Sequence, residues 1–136
     1  MKTIKIQNCT YFKDRSFKLM VNGEEHVMHH RFFDIHVTDE KPFDISVKYL
    51  GNASPEYTFE PKDNMLLQIS TNRRMMNCSL GLFIAGLVLS FVIVYFCGNV
   101  RFISFVSLLA PLFVAIHQII GRKKFFIIRE VNKEIS

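Results

Sequence analysis

Apolar and polar residues alternate along the first half of the chain and then stop alternating. Ile4 and Ile6, then Phe17, Leu19 and Val21, then Phe33, Ile35 and Val37 sit among mostly polar neighbours. So do Phe43, Ile45, Val47 and Tyr49, Tyr57 with Phe59, and Met65, Leu67 and Ile69. A period of two places one set of side chains on the core face of a strand and the other set in water. The pattern predicts strands over 2–7, 16–21, 24–28, 32–37, 43–50, 56–60 and 64–70. Between the second and third lies Asn22-Gly23, a pair that tolerates positive φ at both central positions and so predicts a type I′ hairpin. Residues 38–42 and 51–55 read as turns. No helical period interrupts the series. The expected fold of residues 1–74 is mostly β, a small antiparallel β-sandwich or barrel.

Beyond residue 74 the pattern changes to continuous hydrophobicity. No charged residue occurs from Met75 to Val100 or from Phe102 to Gly121, with only Arg101 between. A soluble domain distributes its charges over all its elements, so this is not one soluble globule. Residues 79–97 and 102–120 are each long enough, at about 28 Å, to cross a hydrocarbon core of about 30 Å. The expectation is an α-helical transmembrane hairpin over 75–121, closed by a tight turn at 98–101, with a basic tail over 122–136 that adds a further strand or continues as helix. Arg73 and Arg74 precede the first span and Arg122, Lys123 and Lys124 follow the second. Positive flanks stay on the cytoplasmic side, which predicts a two-pass integral protein of the plasma or inner membrane with both termini cytoplasmic. Residues 1–6 alternate and supply no apolar signal segment, in agreement with that topology.

Small and polar residues fall on helical faces within this hairpin. Gly81 and Ala85 are four apart, as are Gly86 and Ser90, and Ser104, Ser107, Pro111, Ala115 and Gln118 follow a three-four spacing. Small faces let helix backbones approach closely, so these positions are expected to pack the two helices together, or to serve a homo-oligomer. Pro111 is expected to kink the second helix near mid-membrane. His117 and Gln118, one turn from its end, form a candidate intramembrane polar site.

Charge and cysteine usage narrow the partners. Residues 1–77 hold eleven Lys/Arg against ten Asp/Glu, whereas residues 78–136 hold six against two. The basic excess therefore sits beside the membrane, and no nucleic-acid partner is expected. Arg122-Lys123-Lys124 instead suits anionic lipid, at about 1 kcal/mol per basic residue. Cys9, Cys78 and Cys97 are expected as free thiols in a reducing compartment.

One family resemblance attaches to the β region. Lys18-Leu19-Met20-Val21-Asn22-Gly23, followed some twenty residues later by Phe43-Asp44-Ile45-Ser46-Val47-Lys48-Tyr49, resembles PEGA-type domains. In these small β-sandwiches a strand ends in a Gly-containing turn and a later strand has an apolar-x-Ile-x-Val character. The Pro-Gly that usually precedes the later strand is replaced by Lys41-Pro42. The resemblance implies a non-catalytic interaction module and brings no site residues with it.

The most pointed chemical cluster is His26, His29, His30 and His36. Three or four imidazoles can hold a zinc-like ion, and His26 and His30 could share a side of a strand that His36 approaches across a hairpin. Their spacing matches no structural zinc pattern, and His36, between Ile35 and Val37, fits an outward polar position. Asp34, Asp39, Glu40 and Asp44 supply carboxylates nearby, yet no G-x-S-x-G elbow or phosphate-cradling glycine loop accompanies them. No cofactor and no catalytic residue is expected. The sequence thus predicts a membrane-anchored cytosolic β-domain that scaffolds an unknown protein partner. The rivals are a homo-oligomeric channel or pore-forming effector gated by the β-domain, and a metal-dependent enzyme built on the histidines.

Overall fold

A computed structural model describes residues 1–12, 15–38, 40–98 and 107–131. It divides the chain into a β unit, formed by Met1–Asn72 together with Arg122–Ser136, and a helical unit, Arg73–Gly121. The strands are β1 (Lys2–Asn8), β2 (Phe17–Val21), β3 (Glu24–Met28), β4 (Phe32–Val37), β5 (Phe43–Tyr49), β6 (Asn52–Ala53), β7 (Tyr57–Phe59), β8 (Leu66–Thr71) and β9 (Phe126–Val131). The helices are α1 (Arg73–Cys97) and α2 (Leu109–Gly121), and a 3-10 turn, Arg122–Lys124, follows α2.

The strands form two sheets, ordered β4-β1-β8-β9 and β3-β2-β5-β6, with β7 also paired to β5. Alternation places Ile4 and Ile6, Leu67 and Ile69, and Phe126 and Ile128 in one apolar core with Phe17, Leu19, Ile45 and Val47 from the other sheet. The Phe17 and Phe126 rings meet edge to face, 5.4 Å apart. Asn22 and Gly23 both have positive φ, at 50° and 83°, as their hairpin requires. Asn22 also reaches the neighbouring strand, its Oδ1 accepting the Asp44 N–H at 2.9 Å.

The β unit departs from a purely antiparallel sandwich at one pair. β1 and β8 run parallel, Ile6 opposite Leu67. Parallel neighbours need a long crossover, and here the whole of the second sheet lies between them in the chain. β9 pairs antiparallel with β8, from Thr71 opposite Phe126 to Leu66 opposite Val131. The ladder continues one step outward, where the Asn72 N–H donates to the Phe125 carbonyl at 2.8 Å. The helical unit is thus an insertion between two adjacent strands.

The expected two-helix transmembrane hairpin is overturned. Among the described residues only α1 is long and apolar enough to cross a membrane. α2 has 13 residues, about 20 Å, well short of a hydrocarbon core of about 30 Å. The physical reason lies at Pro111, which does not kink a long helix but sits in the first turn of a short one. There its missing N–H costs nothing, because the first turn has no intrahelical acceptors. α1 ends where Gly98 takes φ 58°, its N–H donating to the Val94 carbonyl at 3.1 Å. That is a left-handed glycine cap. Asp39, Arg101, Ser104 and most of the expected 98–101 turn lie outside the described residues.

Candidate membrane-facing site

The helical unit exposes what a soluble core helix would bury. Along α1 only Met75, Gly86 and Ser90 are buried. Phe91, Tyr95 and Phe96 stand 74%, 84% and 80% exposed, and Ile120 of α2 is 78% exposed. Exposed apolar side chains in such number mark a contact with protein or membrane. Ser90 is satisfied within α1, its hydroxyl donating to the Gly86 carbonyl at 2.7 Å.

The contact between the helices is narrow. A Cβ built on Gly86 would lie 2.7 Å from the Ala110 Cα, and one built on Gly121 would collide with the end of the Met75 side chain. One turn inward from Gly121, His117 Nδ1 and Ser79 Oγ are 2.9 Å apart, and this hydrogen bond joins α1 to α2. Gly86 and Ser90 thus face the partner helix, while Gly81, Ala85, Ser107, Pro111, Ala115 and Gln118 are exposed. Ala110 and Met75 complete the contact, and the small-residue spacing had marked neither.

Where the chain leaves and re-enters the β unit, basic residues gather. Arg73 and Arg74 occupy the first turn of α1, a turn without acidic residues. The positive end of the helix dipole disfavours cations there, so helix stability does not account for them. Arg122, Lys123 and Lys124 form the 3-10 turn on the return. Asn72 holds that turn, its side-chain amide donating to the Lys124 carbonyl at 3.0 Å. The Phe125 N–H donates to the Ala53 carbonyl at 3.0 Å. Ala53 is in turn the register partner of Lys48, and Asn52 that of Tyr49.

This pinning creates a groove of about 550 Å³ whose cationic lining is Lys18, Lys48, Arg122 and Lys123, with no carboxylate among its lining residues. Tyr49 forms a rigid wall, stacked on Phe17 at 4.6 Å and against Phe12 at 5.1 Å. Leu50 stands at the rim, 81% exposed. Its φ is 45° and that of Gly51 is 80°, a left-handed pair normally given to Asn-Gly. Lys18, Lys48 and Leu50 escaped the sequence reading, because only the β2–β5 register brings the two lysines opposite each other. The one available signal was a leucine directly before a turn glycine.

The histidines disperse. His36 on β4 is bonded to Thr3, Nδ1 to Oγ1 at 3.1 Å. His29, in the β3–β4 connection, is bonded to Ser16 Oγ at 3.0 Å, and His30 beside it is exposed. His26 lies with its ring 6.3 Å from that of Phe33. It shares a second groove of about 400 Å³ with Glu24, Asp34 and His36. Among the described residues no three His, Cys, Asp or Glu side chains are placed to hold a metal ion.

Comparison with known proteins returns no match, whether to a protein family, a curated protein or a solved structure.

Proposed function

We propose that this chain is a β-sandwich module held at the cytosolic face of a membrane by its helical insertion, acting there as a non-catalytic scaffold for a protein partner. The observation that carries the reading is the exposed apolar residues of α1 and α2, with basic residues before the first helix and after the second. Such a surface is unfavourable in water by about 25 cal/mol per Å² and gains that amount in hydrocarbon. The flanking arginines and lysines favour the cytosolic side. The resemblance of 18–49 to PEGA-type domains supports the scaffold role, since those domains are non-catalytic.

A second reading, a homo-oligomeric channel or pore-forming effector, is favoured by one feature. Gly81 and Ala85 stay exposed on α1, four apart, as a small-residue strip that α2 does not use. The anchor reading expects the full chain to remain with the membrane fraction after an alkaline carbonate wash and to run in detergent as a monomer. Release by the wash overturns membrane insertion. A particle of four or more copies transfers the argument to the channel.

A further inference from the structure

We propose that the groove between β2, β5 and the Arg122–Lys124 turn binds the phosphate of an anionic phospholipid headgroup. The inference rests on the membrane reading above and adds a ligand to it. Its first support is an electrostatic conflict inside the sheet. Lys18 and Lys48 are direct register partners on adjacent antiparallel strands. Like charges in that position destabilise a sheet, and an anion between them reverses the sign of the interaction. Lys18 is partly compensated, its Nζ lying 2.8 Å from Glu25 Oε1. Lys48, Arg122 and Lys123 face the same groove, and none of them has a carboxylate partner among the ion pairs of the described residues.

The second support is the rim. Leu50 carries a fully apolar side chain into solvent, 81% exposed, from a left-handed backbone that costs a non-glycine residue about 1 kcal/mol or more. Asn at that position would relieve the strain and hydrate better. A strained, exposed apolar residue is explained when its side chain has somewhere apolar to go. Beside a cationic groove that place is the acyl region just beneath a headgroup, so phosphate in the groove and Leu50 in the lipid form one footprint. A soluble phosphate ester would use the lysines and leave Leu50 unexplained.

The third support is position in the chain. The groove is lined by the turn that directly follows the apolar helical unit, and the Phe125 N–H to Ala53 carbonyl bond fixes that turn beside β6. Cations placed at the point of chain re-entry meet headgroups whenever the preceding helix is in lipid.

The test uses the full chain in maltoside micelles, titrated with dioctanoyl phosphatidic acid, dioctanoyl phosphatidylcholine and glycerol 3-phosphate. Binding is followed by calorimetry, and thermal unfolding controls for folding. Phosphatidic acid is expected to bind at least about tenfold tighter than phosphatidylcholine, and the Lys48→Gln, Lys123→Gln double variant is expected to lose that preference at a melting temperature no lower than that of the parent chain, since it removes the Lys18–Lys48 repulsion. Leu50→Asn is expected to weaken phosphatidic acid without weakening glycerol 3-phosphate. Equal binding of the two lipids, or full preference in the double variant, overturns the site. Glycerol 3-phosphate binding as tightly as phosphatidic acid overturns the lipid as its source. Because the titration is read in micelles, its failure leaves the carbonate-wash result standing, and the reverse also holds.

Discussion

At the residue scale, two buried side chains show how the β unit treats polar groups. Asn8, closing β1, is fully buried, and its Oδ1 accepts both the backbone N–H and the hydroxyl of Thr10, at 3.0 and 2.7 Å. That is an Asx turn, which stops the strand and satisfies the amide at once. Thr71, the last residue of β8, is also buried, at 7% exposure, but its Oγ1 has no hydrogen-bond partner among the described residues. An unsatisfied buried hydroxyl costs about 1–3 kcal/mol, part of which an apolar group of the same shape recovers. Valine keeps the β-branched form that suits a strand. Thr71→Val is therefore expected to stabilise the chain by about 1 kcal/mol in denaturant titration. A destabilised variant would show that the hydroxyl is bonded in solution.

At the element scale, the close approach of α1 to α2 depends on a missing side chain. Any Cβ at Gly86 meets the Ala110 Cα at 2.7 Å, and a backbone atom cannot rotate away. Gly86→Leu is expected to drive the helices apart and lower the melting temperature in detergent, overpacking of this kind costing about 1–3 kcal/mol. Unchanged melting would mean the two helices do not meet at this point. The same pair shows what the sequence could and could not disclose. Gly86 and Ser90 were readable from their spacing, but Ala110 was not, because the segment around it is uniformly apolar and hydropathy does not mark where a helix begins. Pro111 carries that information ambiguously, since proline suits a first helical turn as well as a kink. In the β unit, period-two alternation exposed the core faces of β1, β2, β4, β5 and β8, and Asn22-Gly23 exposed the hairpin turn. Alternation does not encode which strands pair, so the parallel β1–β8 partnership stayed hidden. So did the opposition of Lys18 and Lys48, which exists only once the register is set.

At the scale of the whole molecule, connectivity constrains topology more tightly than hydropathy does. Thr71 and Phe126 are register partners, so the chain leaves the β unit and returns to it at a single rung. Phe126 and Ile128 are buried, at 0% and 2% exposure, and each contributes about 2–3 kcal/mol to holding β9 in place. A crossing of the bilayer by α1 alone would put β9 on the far side and forfeit that burial together with the β8–β9 ladder. The described α2, about 20 Å long, is by itself too short for a return crossing of a core of about 30 Å, and a shorter span leaves backbone polar groups unsatisfied. We therefore predict that the helical unit enters the bilayer from the side of the β unit and returns to that side without crossing. Cys97, exposed at the last residue of α1, reports on this directly. In a Cys9→Ser, Cys78→Ser variant of the full chain, inserted into sealed vesicles with the β unit outside, a membrane-impermeant maleimide trapped in the lumen is expected to leave Cys97 unmodified. Solubilising the vesicles should then permit labelling. Modification of Cys97 by the lumenal reagent in intact vesicles would show that α1 crosses, and the one-sided insertion would be wrong.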